Sequence, residues 1–88
     1  MHSKIDIVWA NIIKNEGQIF KTKRQIPYTY IVGNNYILIN NDKRRLITKE
    51  SISRALFVEN PTPAKLDSEA IWGPSYVYGL ITDERIKA

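Results

Sequence analysis

The chain has 88 residues, of which 43 % are apolar and 25 % charged, and it has no cysteine. These proportions suit one globular domain and exclude a disordered tail, a collagen-like repeat, a disulfide framework and thiolate chemistry. The formal net charge is +4, and the only histidine, His2, leaves too few ligands for a structural zinc site.

A chain of this size buries only about 60–65 % of the surface it exposes when unfolded, so its margin of stability is small. No apolar run approaches the roughly 20 residues needed to span a bilayer. The start Met1-His2-Ser3-Lys4 leads into an amphipathic pattern without a signal-peptide core. The expectation is a single soluble domain over residues 1–88, cytoplasmic, with no membrane partner. Charge is uneven along it. Residues 1–20 balance, residues 21–54 carry eight Lys and Arg against two Asp and Glu, and residues 55–88 carry three against five. The middle of the chain is basic and the end mildly acidic.

Ile5, Val8, Trp9, Ile12 and Ile13 recur at the spacing of one helical face, which predicts a helix over about residues 4 to 15. Ser3 is its expected N-cap, Asp6 lies in the first turn, Gly17 is the expected stop, and Trp9 belongs to the core stripe. Gln18 to Lys23 then takes a strand-like composition, and Lys23-Arg24-Gln25 forms a polar connection to Ile26-Pro27. Pro27 belongs at a strand start or edge. Tyr28 to Val32 is entirely β-branched or aromatic, Gly33-Asn34-Asn35 suits a tight hairpin, and Tyr36 to Ile39 is the returning strand. Asn40 to Lys43 makes a second turn, and Arg45 to Ile47 adds a short fourth strand.

Period 2 puts Tyr28, Tyr30 and Val32 on one face of the second strand and Thr29 and Ile31 on the other, while Tyr36 and Leu38 oppose Ile37 and Ile39 on the third. Neither face is cleanly polar, which predicts one covered by helices and one by a partner or a second copy. Thr48 is the N-cap of a helix from Lys49 to about Val58, stopped by Asn60-Pro61-Thr62-Pro63, with a linker to about Asp67. Gly73-Pro74-Ser75 opens the last helix, lined by Val77, Leu80 and Ile81. Its Gly79 predicts close packing on another backbone, and Ile86 can dock back on the domain. The expected class is α+β: an N-terminal helix, a three- to four-stranded antiparallel meander, and two C-terminal helices.

Enzymatic chemistry finds little support. His2 lies at a terminus, and the carboxylate pairs Asp67/Glu69 and Asp83/Glu84 sit in polar stretches that read as solvated surface. No Gly-rich phosphate loop is present, and no cofactor is expected. The candidate nucleic-acid-binding residues are Lys21, Lys23, Arg24, Lys43, Arg44, Arg45 and Lys49, because cations attract phosphates. Tyr28 and Tyr30 are candidate base-stacking residues. Their period-2 spacing also suits cross-strand packing, which is the favoured reading for the tyrosines. The start of the Gly73-Pro74-Ser75 helix is a second candidate anion site.

The α-β-β-β-α order, with Arg44-Arg45 and Lys49 near the start of the second helix, resembles the double-stranded-RNA-binding domain, although that family's Gly-rich loop, Lys-Lys-x-Ala-Lys helix start and histidine-bearing hairpin are absent. Asn15-Glu16-Gly17-Gln18-Ile19-Phe20-Lys21-Thr22, Gly73-Pro74-Ser75-Tyr76-Val77 and Asp83-Glu84-Arg85-Ile86 resemble small bacterial and phage proteins of unknown function. That resemblance implies a prokaryotic or phage origin and no activity. The functional expectation is a small non-catalytic intracellular protein that binds nucleic acid through the basic turns Lys21–Arg24 and Lys43–Arg45. The alternative is a protein-protein interaction module, either a homodimer or a stoichiometric regulator of another protein.

Overall fold

The computed structural model describes residues 3–40 and 45–88. Residues 41–43 of the second turn expected from Asn40 to Lys43 lie outside the described residues, as do His2 and Arg44. The elements run α1 (Lys4–Lys14), β1 (Phe20–Lys21), β2 (Pro27–Val32), β3 (Tyr36–Asn40), β4 (Arg45–Thr48), α2 (Lys49–Ala55), α3 (Pro63–Ser68) and α4 (Pro74–Ile81). The strands form one antiparallel sheet in the order β1-β2-β3-β4. The helices lie on one face of it, and the fold is α+β as expected.

Local chemistry sets the boundaries. Ser3 caps α1: its hydroxyl oxygen accepts from the Asp6 N–H, and the Asp6 carboxylate accepts from the Ser3 N–H in return. Gly17 takes the left-handed conformation after α1 as expected, and the helix ends at Lys14 with Asn15 as its C-cap, one residue earlier than the spacing predicts. In the β2–β3 hairpin the positive φ falls on Asn35, a residue type that tolerates it. Strand β1 is shorter than its composition indicates and keeps only Phe20 and Lys21 in register with Tyr28 and Pro27.

Thr48 caps α2 as expected, but the helix stops at Ala55, three residues short of Val58. Leu56 to Val58 continue as a turn in which the Phe57 and Val58 N–H groups donate to the Arg54 and Ala55 carbonyls. The expected linker before Asp67 is largely helix α3. Thr62 is its N-cap, donating no proton but accepting the Lys65 N–H at 3.1 Å, and Pro63 stands at the first helical position. Three helices therefore follow the sheet among the described residues, where two were expected.

Phe20, Tyr28, Tyr30, Ile37, Ile39 and Ile47 form the covered sheet face, packed on Val8, Trp9 and Ile12 of α1, Ile52 and Ala55 of α2, Leu66 of α3, and Val77, Leu80 and Ile81 of α4. Ile86 docks into the same core. The chain end is clasped: Asn11 donates to the Ile86 carbonyl at 2.9 Å, and the Arg85 guanidinium donates to the Ile19 carbonyl at 3.0 Å while stacking 4.0 Å from the Phe20 ring. Hydrogen bonds from Arg85 hold the Asp83 carboxyl below its ordinary range. No helix among the described residues is long and apolar enough to cross a membrane.

Gly79 marks a close helix-sheet approach. A Cβ there would stand 2.6 Å from the Lys21 carbonyl oxygen and 2.7 Å from the Tyr28 hydroxyl. In an isolated helix Gly→Ala is favourable by about 1 kcal/mol. Here overpacking against a backbone atom reverses the sign, so Gly79→Ala is expected to destabilise by about 1–3 kcal/mol. Thermal unfolding checks this: the melting temperature should fall by several degrees, and a rise would contradict the packing.

A candidate polyanion-binding cleft

The β1–β2 connection is a hydrogen-bonded turn built on Thr22. Its N–H donates to the Ile26 carbonyl at 3.0 Å, its carbonyl accepts the Gln25 N–H at 2.8 Å, and its hydroxyl oxygen accepts the Ile26 N–H at 3.2 Å. Thr22 is thereby buried, while Lys23 and Arg24 occupy the two central positions of the turn with exposed side chains.

A second cation reaches the same place from β4. Arg45 pairs with Ile39, so it projects to the helix-bearing face, two residues from buried Ile47. The start of α4 packs on that isoleucine, and a Cβ on Gly73 would lie 3.0 Å from the Ile47 Cδ1. Arg45 is therefore held beside Gly73-Pro74-Ser75. The start of α3 supplies the remaining wall. Together these segments form a cleft of about 970 Å³ lined by Lys23, Arg24 and Arg45, with Thr22, Thr62 and Ser75 as polar neighbours and, among the described residues, no carboxylate in its lining. Among the described residues none of the three cations is in a salt bridge. The two anion candidates read from sequence, the first basic turn and the α4 start, thus converge. Pro74 has no N–H, and the Tyr76 and Val77 N–H groups donate to the Gly73 carbonyl, so the helix adds its dipole to the cleft more than free donors.

The other candidates lie elsewhere. Lys21 stands opposite Pro27 on the edge strand β1 and lines a polar recess with Tyr78, Thr82, Asp83 and Arg85, a recess that Lys23 also borders, its ammonium 5.9 Å from the Tyr78 ring centroid. Lys49 is at the opposite end of the sheet, where its N–H donates to the Asn35 carbonyl and its ammonium sits 5.8 Å from the Trp9 ring centroid.

The stacking candidates Tyr28 and Tyr30 are corrected to core residues, 3 % and 1 % exposed. Their side of the sheet is the one the helices cover, which leaves no ring face for a base. The Tyr28 hydroxyl donates to the Tyr76 carbonyl at 2.9 Å and the Tyr30 hydroxyl to the Ile12 carbonyl at 2.5 Å. Burial, joined by the nearby Asp83 for Tyr28 and Glu16 for Tyr30, pushes both phenols well above their ordinary range, so both remain donors.

Tyr76 is the aromatic residue in the cleft lining, and a second one, which periodicity does not single out, adjoins the cleft beside Arg45. Trp72 is 59 % exposed, and the Arg45 guanidinium lies 5.3 Å from its ring centroid. Its position next to Gly73-Pro74, where no regular element dictates burial, is the signal that sequence carries. No protein-family model matches this chain, and neither a curated protein nor a solved structure matches it.

Ile12 is in the last turn of α1, where carbonyls lose their helical partners. Tyr30→Phe should leave that buried carbonyl unsatisfied and destabilise by about 1–3 kcal/mol. Denaturant unfolding measures this, and an unchanged midpoint would mean that the hydroxyl bond contributes nothing.

Proposed function

We propose that this is a small non-catalytic intracellular protein that binds nucleic acid, using the cleft between the β1–β2 turn and the starts of α3 and α4. The observation that carries the reading is the convergence of Lys23, Arg24 and Arg45, from separate parts of the chain, on one concave surface that holds no carboxylate among the described residues. Folding places three like charges together only at an electrostatic cost, and a phosphate chain offsets it. Hydroxyls at Thr22, Thr62 and Ser75 add hydrogen-bond capacity of the kind that phosphate oxygens accept.

Three phosphate contacts give a slope of log affinity against log salt of about −2 to −3. Fluorescence anisotropy with labelled oligonucleotides should show that slope, and Arg24→Glu combined with Arg45→Glu should abolish low-salt binding while Lys49→Ala leaves it intact. Absence of low-salt binding by the unaltered protein, or equal losses from all these substitutions, would overturn the reading.

A second reading, a homodimer, is favoured by a separate observation. On the uncovered sheet face Ile31, Leu38 and Leu46 are cross-strand neighbours, and Ile31 and Leu46 are 54 % and 47 % exposed. The outward residues of β2 to β4 are Pro27, Thr29, Ile31, Tyr36, Leu38, Asn40, Leu46 and Thr48, all uncharged. Lys21, the register partner of Pro27, brings a charge to this face only at its β1 edge, so two copies of a chain with net charge +4 can meet through β2 to β4 without opposing like charges. Light scattering should then show a dimer that Leu46→Glu dissociates, and a concentration-independent monomer would remove this reading.

A further inference from the structure

We infer that the partner of the cleft is an unpaired nucleic-acid strand, with the Trp72 indole as the platform on which a base stacks. This rests on the polyanion reading of the cleft and adds to it the class of nucleic acid.

Tryptophan is usually well buried on average, and Trp72 is the exception here. Its exposure is imposed by two left-handed residues that bracket it. Helix α3 ends in a Schellman motif: the Ile71 N–H donates to the Leu66 carbonyl and the Ala70 N–H to the Asp67 carbonyl, with Ala70 at φ 58°. The accompanying apolar contact is between Leu66 and Ile71, both buried. Gly73 then takes φ 66° to open α4. Ile71 is turned inward by the first device and Gly73 is packed on Ile47 by the second. The residue between them has no inward place. The indole is held outside on a short, doubly pinned segment.

Trp72 also touches the charge of the cleft, through the Arg45 guanidinium. A strand with a phosphate at Arg45 has a base within reach of the ring that this guanidinium faces, and Ile26, half exposed in the cleft lining, offers an apolar contact. A duplex keeps its bases stacked on one another and presents no free base face to the ring, so the arrangement of cations with an outward aromatic suits a single strand.

The test uses the full chain and two probes, a fluorescein-labelled thymidine oligonucleotide of about 12 nucleotides and a duplex of the same length. The expected results are tighter binding of the single strand, quenching of tryptophan emission by it, and an affinity loss of about tenfold in Trp72→Ala with Trp72→Phe keeping most of the affinity. Trp9 is in the core, so emission from it persists and the quenched part reports Trp72. Circular dichroism verifies that each variant folds, and the quenching arm needs no variant. Unquenched emission on strand binding, wild-type affinity in Trp72→Ala, or a duplex bound as tightly as the strand would overturn the single-strand inference and leave the polyanion reading standing. Failure of both probes to bind would overturn both.

Discussion

Three aromatic rings on the covered face of the sheet hold the molecule together. The Phe20 ring lies 6.2 Å from Tyr28 and 5.5 Å from Tyr30, and Tyr28 meets Tyr76 edge-on at 5.1 Å. Such contacts supply apolar burial that a domain of this length needs, and their polar tips make the packing directional. Each tyrosine hydroxyl ends on a helix carbonyl, one in α1 and one in α4, so both helices are placed on the sheet by a hydrogen bond as well as by area. The close approach at Gly79 follows from that placement. So does the cleft, because α4 can begin beside Arg45 only if its body lies against β1 and β2.

Much of this architecture is legible in the sequence because the signals are local. The Ser3/Asp6 pair, the alternation from Tyr28 to Ile39 and the Thr48 cap each specify an element within a few residues. Helix α3 is less legible, since proline disfavours helix in the residue before it and favours it at the first position after a cap. Asn60-Pro61-Thr62-Pro63 contains both signals, and it closes one helical segment and opens the next. The end of α3 hides a second ambiguity: Ala70 takes a conformation that usually draws glycine, and it does so under the pull of Ile71 into the core.

The site is less legible than the fold because charge clusters in sequence and charge clusters in space differ. Arg45 and Lys49 are four residues apart, but the intervening strand rises about 3.3 Å per residue and carries them to opposite ends of the sheet, about 13 Å apart. Lys23 and Arg24 are about twenty residues from Arg45 and share a cleft with it, because the β1–β2 turn and the start of β4 lie at the same end of an antiparallel meander. The tyrosines show the converse. Their composition suggests a stacking surface, and their register puts them on the face that the helices cover. The aromatic group left outside is Trp72, in a segment without periodicity.

The most direct test of the cleft as the binding surface is amide chemical-shift mapping by NMR with a short oligonucleotide. The largest shifts should fall on Thr22 to Ile26, Arg45, Thr62, Ala64, Trp72, Gly73, Ser75 and Tyr76, the residues that line or adjoin the cleft. Shifts centred instead on Ile31, Leu38 and Leu46, or on Lys49 at the far end of the sheet, would contradict the account.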